Sequence, residues 1–302
     1  MPETTIRPGT VEDSYAVFYL FEETLADLMV RLGMGDGSRW SEPEKLAQVW
    51  SERQPLYEYL ARSAEQFWVA EQGGQIVGFA RTVFHDGVRE LTEYFVKPEA
   101  QSAGVGKELL GRAFPAEGAQ TRLIIATFDS RAQARYMKLG VYPQFPLYYF
   151  WRQPQVVAVP TDLVIRPLVV APETLAILDT IDKTVIGFPR PQDHQWLATD
   201  RQGWLYYRGG QPVGYGYTGR LNGPFALLEA QDYPAVLAHA EGIAAAAQLD
   251  HFGVEIPMIN RTAVAYLLEQ GFQMDGFVAL FMWDKPLGNL ANYICTSPPF
   301  FL

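Results

Sequence analysis

The strongest constraint on the fold is an internal repeat, in which three short segments of the first half return in the second half in the same order. TIRPGT, ending at Thr10, returns as VIRPLV, ending at Val169, and GGQIVGFA (73–80) returns as GGQPVGYG (209–216). ARYMKLGV, ending at Val141, returns as AYLLEQGF. One domain present twice explains this order. The 302 residues are enough for two domains of roughly 100–200 residues each.

A proline-containing segment without periodicity, RQPQVVAVPTD at 152–162, separates the two copies. Such a composition is typical of linkers. We therefore expect a first domain over 1–151, a linker over 152–162 and a second domain over 163–302. The second copy is shorter, mainly because it lacks a counterpart of the early helical region 40–64.

Composition indicates a folded soluble protein and excludes several classes of function. Hydrophobic residues make up 48% of the chain and charged residues 19%, whereas disorder needs fewer apolar residues and more charge. The net charge of −10 has the wrong sign for general binding to nucleic acid or to an anionic membrane. Cys295 is the single cysteine and the four histidines lack metal-site spacing, so we expect no disulfide, no metal and a cytoplasmic location. We also expect neither a signal sequence nor a membrane span.

Periodicity and turn signals predict a mixed α/β (α+β) fold. A short strand and amphipathic helices come first, and three β-like runs follow, joined by Gly-Gly and Asp-Gly steps that favour hairpins. Helix, strand, helix and strand complete the copy, at 104–114, 122–127, 131–139 and 147–151. Each copy should therefore hold a mostly antiparallel central sheet flanked by helices.

The segment with the clearest chemical meaning is ELTEYFVKPEAQSAGVGKELLG, which starts at Glu90. It predicts a strand, a turn marked by proline, a glycine loop and a helix. Gly104 and Gly106 let backbone N–H groups approach a ligand, and the unpaired N–H groups of a helix start favour a phosphate. The Walker and dinucleotide fingerprints both fail, because they need glycines at other positions. A tight strand-to-helix turn without a ligand is the alternative.

Two motifs at these positions resemble the GCN5-related N-acetyltransferase (GNAT) superfamily. Its [Q/R]-x-x-G-x-[G/A] signature is matched by Gln101-Ser-Ala-Gly104-Val-Gly106, after Val96-Lys97-Pro98. Its N-x-x-A-x-x-x-Y-x-x-x-G-F motif is matched from Asp129 to Val141, where Asp129 replaces the usual asparagine and Val141 the usual aromatic residue. The resemblance covers residues 4 to about 151, and more weakly 163–284.

The resemblance implies two tandem GNAT-like domains with an acetyl-CoA site in the first. It implies that backbone amides from Gln101 to Lys107 surround the pyrophosphate, and that Phe95 and Val96 pair with the pantetheine arm. An oxyanion-hole function for the same Phe95–Val96 edge follows from this placement. The amide contact to the coenzyme that is expected at position 129 is in doubt with an aspartate there. The cofactor residues are Phe95, Val96, Gln101, Ser102, Ala103, Gly104, Val105, Gly106, Lys107 and Asp129.

Acyl transfer to an amine requires a base for the ammonium proton and an acid for the departing thiolate. Tyr136 stands at the tyrosine position of the family and is the candidate acid, with a packing tyrosine as the alternative. Glu90, 11 residues before Gln101, resembles the catalytic glutamate of histone-acetylating members. Glu93 is the rival base, since in a regular strand the two glutamates face opposite sides unless a bulge intervenes. A base elsewhere and a water chain also remain open.

The second copy lacks the glycine loop. Where it should follow the third strand, the sequence is EAQDYPAVLAHAEGIAAAA, with Tyr233 and Pro234 near the expected position. Asn260 keeps the second motif, but Leu267 replaces its tyrosine. We expect this copy to be catalytically degenerate and kept for its fold, as a wall of the acceptor cleft or as a dimer surface.

The sequence therefore predicts an N-acetyltransferase that moves an acetyl group from acetyl-CoA directly to an amine. A non-catalytic acyl-CoA sensor or assembly module is the alternative. The amine, small or peptidic, is left open, and the aromatic and acidic residues Glu22, Glu23, Trp40, Trp50 and Tyr57 either face it or simply pack. The apolar segment 289–302 should dock on the domain interface or on a partner subunit in a homodimer. No nucleic acid or membrane partner is expected.

Overall fold

The computed structural model describes residues 3–35, 43–101 and 104–302, and the chain forms two compact units that divide between Ile124 and Ile125. The predicted domain boundaries at 151 and 163 do not coincide with this division. The predicted boundaries describe where the two copies of the sequence repeat begin and end, and they stay a prediction. The fold class is confirmed, because both units combine helices with mostly antiparallel sheets. Among the described residues, no helix combines the length and apolar character needed to cross a membrane.

The first unit has a sheet with the strand order β1-β2-β3-β4-β5, antiparallel except for the β4–β5 pair. Helices α1 and α2 precede β2, and α3 connects β4 to β5. The bounds are β1 (Thr4–Pro8), α1 (Ser14–Arg31), α2 (Pro43–Ser63), β2 (Gln66–Gln72), β3 (Gln75–His85), β4 (Val88–Val96), α3 (Val105–Ala113) and β5 (Thr121–Thr127).

Tight turns join β2 to β3 and β3 to β4, as their sequences predict. Gly73 and Gly74 have φ of 56° and 80°, and Asp86 and Gly87 have φ of 44° and 86°. These left-handed conformations are those of the two-residue hairpin turns that match the twist of antiparallel strands. The predicted meander is therefore present.

Helix α3 packs closely on the sheet of the first unit at a glycine of β3. A Cβ at Gly78 of β3 would lie 3.0 Å from Leu109 Cδ1 and 3.2 Å from Val96 Cγ2. At the other end of α3, the Thr82 hydroxyl donates to the carbonyl of Ala113 at 3.1 Å. These contacts hold the start of α3 at a defined place beside the end of β4.

The second unit contains two sheets. One has the order β12-β6-β11 and the other the order β13-β10-β9-β8-β7, all antiparallel. Its strands are β6 (Tyr142–Arg152), β7 (Val164–Pro167), β8 (Gln202–Arg208), β9 (Gln211–Thr218), β10 (Phe225–Leu227), β11 (Phe252–Pro257), β12 (Gln273–Trp283) and β13 (Tyr293–Ile294). Its helices are α4 (Ser130–Lys138), α5 (Pro172–Val185), α6 (Pro191–Asp200), α7 (Tyr233–Ala246) and α8 (Arg261–Glu269).

Strand β6 starts at Tyr142, five residues before the beginning predicted at 147. Pro143 and Pro146 weakened the strand signal because proline cannot donate to a ladder. Pro146 is nevertheless accommodated: it lies opposite Leu280 of β12, and its carbonyl accepts a hydrogen bond from the N–H of Met258 at 3.0 Å. The pairing with β12 therefore includes both prolines.

Candidate functional site

The glycine loop of the first unit begins at the end of β4. The Gln101 side chain turns back, and its Nε2 donates to the carbonyl of Val96 at 3.0 Å. Lys97 N–H donates to the carbonyl of Val77 at 2.8 Å and so keeps the chain on β3 up to the turn. Ser102 and Ala103 lie outside the described residues. The loop therefore starts from a position fixed by strand pairing.

Gly104 is the residue that turns the loop into α3. Its φ of 84° and ψ of −10° are left-handed, and a Cβ there would meet no atom within 4 Å. Glycine is needed for the backbone conformation, and the space in front of it is open. The N–H groups of Val105, Gly106 and Lys107 are in the first turn of α3, where no intrahelical acceptor exists. Open space beside such donors suits an anion.

The outer edge of β4 changes along its length. Pairing with β5 covers Val88–Leu91 and ends at the pair Leu91–Ile124. Beyond this point, strand pairing among the described residues is on the β3 side, where Phe95 lies opposite Phe79 and Val96 opposite Gly78. The predicted pantetheine-binding residues, Phe95 and Val96, are thus on a strand edge whose backbone is not used by β5.

A β-bulge lies between the two candidate bases. Arg81 pairs with Glu93 and Thr82 with Leu91, so Thr92 is the extra residue. The extra residue reverses the alternation, and Glu90 and Glu93 therefore lie on the same face of β4. Both are buried, with 4% and 2% of their surface exposed. The sequence alone could not show that both glutamates lie on one face, because this depends on the bulge.

Glu93 forms a buried ion pair with Arg81 of β3. Arg81 Nε and Nη2 both donate to Glu93 Oε2, the first at 2.6 Å, and both side chains are fully buried. Among the described residues nothing donates to Glu93 Oε1. Burial raises the pKa of Glu93, and the charge of Arg81 opposes this increase. Arg81 therefore binds the Glu93 carboxylate through Oε2 only.

Aromatic rings surround the Arg81 guanidinium. Its Cζ lies 5.3 Å from the ring centre of Tyr57, 5.0 Å from that of Phe67 and 5.7 Å from that of Phe79. Arg81 Nη1 also donates to the carbonyl of Tyr57 at 3.1 Å. Sequence reasoning missed Arg81, although an arginine between Ala80 and Thr82 in a buried strand was a usable signal.

The residues expected near the acceptor are mostly engaged with other groups. Glu22 is buried and forms an ion pair with Arg53, with 3.4 Å between Oε1 and Nη1. Glu23 forms an ion pair with Lys97, with 2.9 Å between Oε2 and Nζ. Trp50 and Tyr57 contact each other and the ring of Phe18. Trp40 lies outside the described residues. Packing therefore accounts for both aromatic residues.

A surface pocket of about 410 Å³ opens beside the end of β4, between the start of α1 and the β2–β3 turn. Tyr15, Tyr19 and Lys97 contribute to its wall. Its carboxylates, Asp13 and Glu71, both pair with Arg7 at 2.8 and 2.7 Å. These two carboxylates already have a cationic partner within the chain.

The second motif lies in the second unit. The Asp129 carboxylate accepts a hydrogen bond from the N–H of Arg131 at 2.8 Å and so caps helix α4. This is the capping function of an aspartate at a helix start. Tyr136 is on α4 and is buried, with 5% of its surface exposed. Its function as the acid stays a prediction.

Across residues 3–35, 43–101 and 104–302, no group of three histidine, cysteine, aspartate or glutamate side chains has an arrangement that could hold a metal ion. The fold and the loop define a mixed α/β protein with a strand–glycine loop–helix unit suited to an anion. Residues 63–142 match the acetyltransferase (GNAT) domain. This match confirms, for residues 63–142, the resemblance inferred from the motifs, and it supports an acyltransferase.

Solved structures extend this fold to nearly the whole chain. A putative acetyltransferase from Pyrococcus horikoshii is 14% identical with a TM-score of 0.71, covering 96% of this chain and 92% of the other. A tandem GNAT protein from the clavulanic acid biosynthesis pathway is 15% identical with a TM-score of 0.61, covering 94% and 99%. A GCN5-related N-acetyltransferase from Sphaerobacter thermophilus is 14% identical with a TM-score of 0.58, covering 96% and 98%. No curated protein matches the sequence.

Proposed function

We propose that the chain is an N-acetyltransferase in which the loop from Gln101 to Lys107 holds the pyrophosphate of acetyl-CoA. The observation that carries the proposal is the geometry of Gly104. It is left-handed at the start of α3, with open space before it and the N–H groups of the first helical turn behind it. The residues present therefore fit a phosphate group.

The free edge of β4 supports the placement of the rest of the cofactor. The N–H of Lys97 points to β3, and the backbone groups of successive residues alternate between the two sides of a strand, so the N–H of Val96 is on the side that β5 does not use. An extended arm that contains amides can pair with such an edge as a strand does. The same N–H group of Val96 is suited to polarise a thioester carbonyl.

The reaction joins the amine nitrogen to the acetyl carbon and breaks the bond from that carbon to sulfur. A base takes the proton from the ammonium group before attack, and an acid gives a proton to the thiolate that leaves. In our proposal Glu90 is the base and Tyr136 the acid. Glu93, which forms an ion pair with Arg81, stays the rival base.

Binding of CoA to Gly104 variants, measured by isothermal titration calorimetry, tests the site. Gly104→Glu places a carboxylate where the pyrophosphate should lie, and we expect at least ~100-fold weaker binding from repulsion and occlusion. Gly104→Ala controls for backbone strain, which costs about 1–2 kcal/mol of stability at a left-handed residue. Gly111→Glu adds the same charge on an exposed face of α3, where a Cβ meets no atom within 4 Å. Equal CoA affinity in Gly104→Glu and Gly111→Glu would contradict the proposed site.

A non-catalytic acyl-CoA sensor is the second candidate, favoured by the burial of both candidate bases. It needs the loop but neither Glu90 nor Tyr136. Thiol release from acetyl-CoA with a panel of amines separates the two functions. Release that depends on the amine and on Tyr136 supports the enzyme, and release that no amine increases supports the sensor.

A further inference from the structure

The apolar segment 289–302 contains a short strand inside the second unit. Strand β13 pairs with β10, with Tyr293 opposite Ala226 and Ile294 opposite Phe225. The next residue, Cys295, donates its N–H to the carbonyl of Glu255 on β11 at 3.1 Å. The segment therefore lies between β10 and β11 and is bonded to both.

The repeat identifies the edge of β10 that this segment occupies. In the repeated segments 73–80 and 209–216, the dipeptide Gly78-Phe79 corresponds to Gly214-Tyr215. Phe95–Val96 lie opposite the first dipeptide and Ala226–Leu227 opposite the second, so these two pairs of residues are counterparts. On its other side β10 pairs with β13. The occupied edge of β10 thus corresponds to the β4 edge that we propose for the pantetheine arm.

Two asparagine side chains complete the binding of the segment. Asn260 stands at the motif position where the family resemblance implies an amide contact to the coenzyme, and its Nδ2 donates to the carbonyl of Tyr293 at 3.3 Å. Asn292 Nδ2 donates to the carbonyls of Leu227 at 2.9 Å and Leu228 at 2.8 Å. Backbone groups of the second unit that a coenzyme would use are therefore bonded to the chain itself.

The segment is also held beyond the strand. Arg201 Nη2 donates to the carbonyl of Ser297 at 3.0 Å, and the N–H of Ser297 donates to the carbonyl of Asn222 at 3.0 Å. Ile294 belongs to the hydrophobic core, and both Ile294 and Cys295 have no exposed surface. This burial and bonding are those of a permanent part of the sheet.

We propose that residues 292–295 occupy the cofactor slot of the second repeat, so that this slot binds an extended peptide of the same chain and no CoA. A peptide strand and a pantetheine arm offer the same chemistry to a sheet edge, because both are extended and carry amide groups. The inference rests on the proposed function for the identity of the matching slot in the first repeat.

The single thiol of the chain reports on this occupancy. Cys295 is buried in the segment, so a thiol reagent reaches it only when the segment leaves the slot. We expect Asn292→Ala to accelerate labelling of the native protein about five- to tenfold, since two buried carbonyls lose their donor. Asn289→Ala is the matched control, because Asn289 is exposed in the same segment. Fast labelling of the unaltered chain, or equal rates in both variants, would overturn the proposal.

Addition of CoA separates this inference from the proposed function. We expect calorimetry to give one CoA per chain, none in Gly104→Glu, and no change in the labelling rate of Cys295 at saturating CoA. A CoA-dependent increase in labelling, or a site that survives Gly104→Glu, means that CoA enters the second slot and refutes the inference. If the unaltered chain binds no CoA, the proposed function fails, and the labelling rates of the two asparagine variants still decide whether the segment is held.

Discussion

The buried pair Arg81–Glu93 should stabilise the first unit only as a pair. Arg81→Met leaves the Glu93 carboxylate buried without a cation, and losing one partner of a buried ion pair costs about 3–5 kcal/mol. Glu93→Leu leaves Arg81 without its anion at a similar cost. The double variant removes both charges and leaves the Tyr57 carbonyl without its donor, which costs about 1–3 kcal/mol. The two single costs together exceed the cost of the double variant by about 3–9 kcal/mol, and this difference is the coupling free energy that we expect between the two sites.

Urea unfolding of the four proteins of this cycle measures the coupling. The pH dependence gives a second readout. Burial already raises the pKa of Glu93, and without Arg81 it should rise further, so that the carboxyl takes a proton on folding. Stability of Arg81→Met should therefore fall as pH rises above about 4.5, the usual value for the unfolded chain. A coupling below about 0.5 kcal/mol, or a loss that is the same at pH 5 and pH 8, would refute the interpretation of this pair.

Two further predictions concern the acid and a half-buried carboxyl. Tyr136→Phe should lower the turnover of acetyl transfer at least ~100-fold while the affinity for CoA, measured by calorimetry, stays within about twofold; an unchanged rate would exclude Tyr136 as the acid. Burial and the nearby charge of Asp275 raise the pKa of Glu255 from 4.5 to about 8. Between these values the folded chain binds more protons than the unfolded chain, so stability falls as pH rises, by up to about 5 kcal/mol. Glu255→Gln should flatten this fall in urea unfolding between pH 5 and pH 9, and an unchanged slope would contradict the shift.

Local signals predicted the elements well where the physical cause is local. The hairpin turns follow from Gly73-Gly74 and Asp86-Gly87, since a left-handed backbone is a property of one or two residues. The left-handed start of α3 at Gly104 follows for the same reason. The glycine loop was therefore accessible from the sequence, and so was the resemblance that the match to the GNAT domain confirms.

The placement of Glu90 and Glu93 on the same face of β4 was not accessible in this way. It depends on the bulge at Thr92, and a bulge is a property of the pairing between β3 and β4. The partner of Glu93 is Arg81, 12 residues away along the chain, and only the register brings them together. The sequence alone thus contained both residues but not the ion pair.

The tail was the largest gap between expectation and structure. Its apolar composition indicated that it docks, and the sequence could only suggest a domain interface or a partner subunit. The structure instead pairs Tyr293 and Ile294 with β10 inside the second unit. A partner for a strand edge is selected by three-dimensional proximity, which composition does not encode.

The amino-acid sequence by itself determined the repeat, the fold class, the glycine loop and the loss of that loop in the second copy. Each depends on residue identity and short-range spacing, which are properties of the chain. Only the tertiary structure decided which strand edges are used, which carboxylates are paired and where the tail lies. These depend on contacts between residues far apart in sequence, because burial makes an unpaired strand edge or charge too costly to leave.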